Sequence, residues 1–144
     1  MTLPENLETE VKRVNKTGYF THPDCRKHEM GRGHPECPER LDAIEDRLLI
    51  SGVGDVLERR EAPMAPLVDI ELAHSRNHVY AIRGMSDSLQ EDMQAGGPSH
   101  VYVDPDTALN ASSWDALLRA SGAALAATDA VMAGELENAF CAVR

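Results

Sequence analysis

The sequence predicts an α/β domain built on a parallel β-sheet, and three features point there. Short runs suited to strands stand far apart, at residues 16–21, 57–61 and 138–143. The stretches between them carry apolar residues at helical spacing. The last run, Asn138-Ala139-Phe140-Cys141-Ala142-Val143, is almost continuously apolar, as expected of a strand buried on both faces. Strands separated by helices pair in parallel through crossover connections. Only three good strands are offered, and a central apolar strand needs neighbours on its edges. The pattern therefore reads as part of a larger sheet.

Each element has its own warrant. Residues 1–15 are charged and weakly periodic, which predicts little local order. Lys16-Thr17-Gly18-Tyr19-Phe20-Thr21 forms the first strand, and His22-Pro23-Asp24 opens a long loop that runs to Glu36. Pro38 suits the first turn of a helix, where its missing N–H costs nothing. Leu41, Ile44 and Leu48 give that helix its apolar stripe, Glu39, Asp42, Glu45 and Asp46 its wet face, and Gly52 its C-cap. Residues 57–61 are charged enough to be an edge strand. Pro63 and Pro66 punctuate the loop after it, and short helices are predicted over 68–73 and 77–85.

Residues 86–100 contain Gly96-Gly97-Pro98 and no periodicity, which predicts a loop. Val101-Tyr102-Val103 is extended, and Asp104-Pro105-Asp106-Thr107 breaks it. Ser112 or Ser113 caps a long helix with Asp115 in its first turn. Trp114, Leu117, Leu118, Leu125 and Val131 mark its expected buried face. The small residues Ser121, Gly122, Ala123 and Ala124 would let a neighbouring backbone come close, and Gly134 ends the helix.

Composition bounds the function. At 144 residues, 42% hydrophobic and 26% charged, the chain has the make-up of one folded domain. Its formal net charge of −10 argues against direct nucleic-acid binding, which needs clustered Lys and Arg. The same charge suits a basic peptide or a polyamine. Three cysteines, Cys25, Cys37 and Cys141, with no secretory leader, predict reduced thiols in a cytoplasmic protein. No run approaches 18 apolar residues, so no membrane span is expected.

The stretch Gly31-Arg32-Gly33-His34-Pro35-Glu36-Cys37-Pro38-Glu39-Arg40 combines two glycines, two prolines, a histidine and acids just before a helix. A stiff polar loop of this kind presents side chains to a ligand or simply turns a corner. Three more blocks follow it: Ala73-His74-Ser75-Arg76-Asn77-His78-Val79, Asp104-Pro105-Asp106-Thr107, and Ala133-Gly134-Glu135-Leu136 running into Phe140-Cys141-Ala142-Val143-Arg144. In kind, order and spacing these three blocks, with Gly33-His34-Pro35-Glu36-Cys37-Pro38-Glu39-Arg40-Leu41 before them, resemble the N-terminal third of the zinc-dependent histone deacetylase superfamily. That superfamily includes histone deacetylase-like amidohydrolases, acetoin-utilisation proteins and acetylpolyamine amidohydrolases. The resemblance implies the N-terminal portion of an arginase/deacetylase-like three-layer α/β fold with a parallel sheet.

The resemblance also implies a reaction, the hydrolysis of acetyl-lysine or acetyl-polyamine amides. Such chemistry takes a zinc-bound water, a base for its proton and a donor for the oxyanion. In the family the Pro-Pro-Gly-His-His block that follows the last strand, the zinc ligands and a tyrosine supply these. None of them lies in these 144 residues, so the chain is expected to span a deacetylase domain only up to the catalytic histidine pair. Alone it should be catalytically silent, with no catalytic residue and no zinc ligand of its own. What it would keep is part of the substrate rim: His34 and Pro35, with Asp106, and Asp104 second, accepting hydrogen bonds from the substrate backbone. His78 stands where the family usually has tyrosine.

Other constellations carry weaker readings. His22, Cys25, His28, His34 and Cys37 could hold a structural zinc, or could be ordinary loop side chains. Asp104 and Asp106 could bind a hard cation, but no glycine-and-glutamate calcium loop accompanies them. His74 and His78 share a helix face, but Ser75 occupies the position where a metalloprotease motif needs glutamate. His74 is therefore read as a buried, hydrogen-bonded histidine, Trp114 as core, and Cys141 as inert packing. From a different class comes a non-catalytic binding or assembly module, which would hold a partner on the same loops or form homo-oligomers through an open sheet edge.

Overall fold

The computed structural model describes residues 16–144; the expectation for residues 1–15 lies outside them. The order of elements is β1 (Thr17–Thr21), a single 3₁₀ turn (Pro23–Arg26), α1 (Glu39–Ser51), β2 (Leu57–Glu61), α2 (Leu67–Ile70), α3 (Arg76–Gln94), β3 (Val101–Asp104), β4 (Thr107–Leu109), α4 (Ser113–Met132) and β5 (Asn138–Ala142). A second 3₁₀ turn, Val53–Val56, joins α1 to β2. β1 is central in a three-stranded sheet ordered β2-β1-β5, and both of its pairings are parallel.

Alternation along β1 builds three layers. Tyr19 and Phe20 point to opposite faces, as adjacent strand residues must. Phe20 packs with Ala62, Ala123, Ala127, Ala130 and Leu136 on the α4 side. Tyr19 packs with Cys25, Leu41 and Ala142 on the α1 side. The Tyr19 hydroxyl donates to Glu45 at 2.7 Å, and burial followed by that carboxylate pushes it above the ordinary phenol range. Glu45 also pairs with Arg59 of β2 at 2.9 Å, which ties α1 to the sheet's outer strand.

Helix α1 and strand β2 lie where the sequence puts them, with Gly52 ending α1 in the left-handed conformation. Four expectations are corrected. First, α3 does not stop near residue 85 but runs to Gln94, because Ser86 and Leu89 are buried and hold its second half to the domain. Second, Val101–Asp104 does not merely end at the acidic turn. It doubles back as an antiparallel hairpin with β4, apart from the parallel sheet.

Third, the buried face of α4 is made of its small residues. Ser113, Ala116, Gly122, Ala123, Ala127 and Ala130 are buried with Leu118, whereas Leu117 and Leu125 are exposed. The helix lies so close to its neighbour that large residues face away. A Cβ on Gly122 would sit 1.9 Å from the Pro63 carbonyl oxygen. Fourth, β5 is not buried on both faces. It forms an outer strand of the three, and Phe140 is 50% exposed beside Tyr19.

Asp24, in the turn after β1, is a half-buried electrostatic junction. Lys27 approaches it at 2.7 Å, His22 at 3.0 Å and Arg119 of α4 at 3.3 Å. The Lys27 hydrogen bond, despite partial burial, holds the Asp24 carboxyl below the usual carboxylate range. A carboxylate depressed in the folded state adds stability above its unfolded pKa, near 3.8, and loses it as pH falls through the folded value. Asp24→Asn is therefore expected to be less stable than the parent at neutral pH by about 1–2 kcal/mol. The gap should shrink below about pH 4. Urea unfolding followed by circular dichroism at pH 7 and pH 3 measures both.

Candidate functional site

Gly31 and Gly33 adopt φ values of 101° and 84°, a region that side chains with a Cβ rarely enter. The loop they shape turns His34 toward the β3–β4 hairpin. There His34 Nε2 lies 3.5 Å from Asp106 Oδ1, across 72 positions of sequence. The Glu36 N–H donates to His34 Nδ1 at 3.1 Å. That acceptor role leaves the ring proton of the neutral imidazole on Nε2, facing the carboxylate. The ring is thus oriented by its own loop, and Asp106 is almost wholly open to solvent, with its side chain 96% exposed.

Asp104 takes a different part. Its Oδ1 accepts from the Asp106 N–H at 2.8 Å. This bond first, and Thr107 second, holds its carboxyl below the usual range. Asp104 therefore shapes the turn that presents Asp106. Pro35 is exposed on the loop beside His34. The structure brings His34, Pro35 and Asp106 to one rim, with Asp104 beneath the tip of the hairpin.

Two residues lock the rim, and the sequence reading gave neither a role. Asn110, buried at the end of β4, donates from Nδ2 to the Lys27 carbonyl at 2.8 Å. Its Oδ1 accepts from Ser113 Oγ at 3.1 Å, and its N–H donates to the same oxygen at 2.8 Å. Ser86 Oγ of α3 donates to the Asn110 carbonyl at 3.1 Å. His28 completes this network against Ser113 Oγ at 2.8 Å, and burial pushes its pKa down. The hairpin is thereby tied to both long helices and to the loop.

Arg144 is the second lock. Its side chain is only 4% exposed. Its guanidinium donates to Glu36 Oε1 at 2.8 Å and to the His28 carbonyl, and burial lowers its pKa. Glu36 also pairs with Arg40. An Asn directly after Ala108 and Leu109 is the available, weak signal for Asn110. For Arg144 it was a charge directly after the most apolar run.

The other candidates are dispersed. His22 pairs with Asp24 and Glu61, Cys25 is in the core, His28 meets Ser113, His34 faces Asp106, and Cys37 is half-buried. Among the described residues no three His, Cys, Asp or Glu side chains gather as metal ligands. His22, Cys25, His28, His34 and Cys37 therefore do not form a structural zinc site. His74 is exposed and sits in the bend before α3, which corrects its reading as a buried helical histidine. Trp114 is half-buried at the start of α4. Desolvation raises the Cys141 thiol pKa, consistent with packing. No described helix is long and apolar enough to cross a membrane.

Known proteins are similar to this chain in sequence and in shape. The histone deacetylase domain family matches residues 34–144. A histone deacetylase-like amidohydrolase of Pseudomonas aeruginosa is 32% identical over 108 residues, covering 75% of this chain and 26% of the relative. A probable deacetylase of Archaeoglobus fulgidus is 32% identical over 130 residues, covering 89% of this chain and 33% of the relative. The polyamine deacetylase HDAC10 of Homo sapiens is 31% identical over 134 residues, covering 89% and 19%. The chain thus spans between about a fifth and a third of these relatives' length. The crystal structure of an HDA15 HD domain superposes with a TM-score of 0.78 over 90% of this chain and 35% of that one, at 24% identity, and shows the same arginase/deacetylase-like fold. The match covers the histidine loop, the acidic hairpin, both long helices and the last strand together, and on that evidence the chain belongs to the histone deacetylase domain family.

Proposed function

We propose that this chain forms the N-terminal segment of a zinc-dependent deacetylase domain and carries part of its substrate rim, with an acetylated lysine side chain or an acetylated polyamine as the substrate. The observation that supports this most is the meeting of His34 and Asp106 at 3.5 Å across 72 positions. An exposed carboxylate accepts N–H groups of a peptide or an amine. The His34 Nε2 proton holds one of its oxygens and leaves the other free. Pro35 stiffens the opposite lip. The net charge of −10 adds a general attraction for cationic substrates. Zinc and the proton-transfer groups belong, in this reading, to parts of the domain outside these residues, so the 144 residues bind without turning substrate over.

One experiment tests this. An acetyl-lysine peptide and, separately, N-acetylputrescine are titrated into ¹⁵N-labelled chain, and acetate release is measured in the same samples. Shifts are expected at residues 31–36 and 102–107, weakened at least about tenfold by Asp106→Ala, with no acetate released. The stronger of the two ligands identifies the substrate class. Shifts elsewhere, or equal binding by Asp106→Ala, would remove the rim from the reading. Robust acetate release would place a catalytic centre inside the chain.

The half-exposed Phe140 on the outer strand β5 favours a second reading, an assembly module that pairs this edge with another copy. Size-exclusion chromatography with light scattering separates the two: a stable monomer argues against it.

A further inference from the structure

Away from the rim, His74 and His78 face each other at the start of α3, with ring centroids 5.4 Å apart and planes inclined by 36°. Both side chains are exposed. Neither ring has a hydrogen-bond partner among the described residues, although the His78 N–H donates to Ser75 Oγ at 3.3 Å and so fixes the first turn. They line a groove of about 380 Å³ together with Val79, Trp114 and Asp104.

Two imidazoles bound to one ion through nitrogens about 2.0–2.1 Å from it place their ring centres roughly 4.5–5.2 Å apart, for cis square-planar to tetrahedral angles. The observed 5.4 Å lies within a few tenths of an ångström of that range. Ligation would require both exposed rings to turn so that one nitrogen of each faces the ion. We propose that His74 and His78 form a two-histidine site for a divalent transition-metal ion, distinct from any catalytic zinc, with the remaining positions filled by water. Imidazole donors suit Cu²⁺, Ni²⁺ and Zn²⁺, in the order Cu²⁺ first. The positive end of α3 opposes a cation. Asp104 in the same groove, and Asp69 in the depression it shares with His74, supply the opposing negative charge. Because the groove includes Asp104, an ion there would sit against the hairpin that presents Asp106.

The test is a Cu²⁺ titration of the full chain, followed by calorimetry and by electron paramagnetic resonance with electron spin-echo modulation. Two equatorial imidazole nitrogens are expected at one equivalent of copper. Mutating groups that merely support a ligand weakens binding roughly 10–100-fold, so His74→Gln and His78→Gln should each cost at least tenfold. His100→Gln should leave affinity and spectrum unchanged. Both target rings are exposed, so folding should survive, and circular dichroism confirms it. An unchanged copper spectrum in the His74→Gln/His78→Gln double variant, or a signal from one imidazole only, would overturn the assignment.

Discussion

Gly122→Ala is expected to destabilise the domain by about 3 kcal/mol or more, the upper end of what overpacking costs. In an ordinary helix the same change stabilises by about 1 kcal/mol, so the sign itself is diagnostic. The new methyl would meet the Pro63 carbonyl oxygen at 1.9 Å, its carbon at 2.7 Å and the Ala65 nitrogen at 2.8 Å. All three are backbone atoms, which cannot rotate aside as a side chain can. The segment they belong to is held against α4. The Ala65 N–H donates to the Leu118 carbonyl at 3.0 Å, and Arg119 Nη1 donates to the Ala62 carbonyl at 2.9 Å. Relieving the clash would break these bonds. Gly84→Ala on α3 is the matched control, since nothing lies within 4 Å of its Cβ position. It should stabilise by about 0.5–1 kcal/mol. Urea midpoints for the two variants should move in opposite directions.

Arg144→Met should have the second largest effect and should be felt at the rim. It removes two charge-assisted hydrogen bonds, to Glu36 and to the His28 carbonyl, each worth about 1.5–3 kcal/mol. Methionine recovers part of the packing, so a net loss of about 2–3 kcal/mol is expected. Thermal unfolding reads the global loss. Hydrogen exchange separates the roles: amides of residues 29–37 should lose protection more than those of β2 or the second half of α3. Equal loss everywhere would make Arg144 a general stabiliser and remove its part in holding the loop. Arg144→Lys keeps the charge but not the forked donor set, and should fall between parent and Met variant.

What the sequence made legible follows the range of the forces involved. The parallel strands and α1 could be read because their signals are local: an aromatic and β-branched run in β1, a short charged run in β2, a continuous apolar run at β5, and for α1 a Pro at one end and a Gly at the other. The histidine loop and acidic hairpin could be named as candidates because short blocks carry the family resemblance. Their meeting at His34 and Asp106 depends on tertiary placement, which no local pattern encodes. Helix α3 ran past its expected end because Ser86 and Leu89 find partners only in the folded chain. On α4 the expected close approach at the small residues is found at Gly122 and Leu118 is buried as expected, but Leu117 and Leu125 are not, because hydrophobicity alone carries no distance. At a spacing that only Gly122 and its alanines permit, small residues go inside and Leu117 and Leu125 turn out. Asn110 and Arg144 are marked only faintly by their place beside apolar runs, because what a buried polar residue does is set by partners distant in sequence.

The face of the sheet that carries Phe140 has a colloidal consequence. Phe140, Tyr19, Ile44, Leu48 and Leu57 border an open hydrophobic hollow of about 470 Å³. Mutual repulsion between copies, each bearing a net charge of −10, opposes the coalescence of two such hollows. That repulsion reaches about 30 Å at 0.01 M salt but only about 8 Å at 0.15 M. Dilute buffer should therefore keep these molecules dispersed, and added salt should let them flocculate.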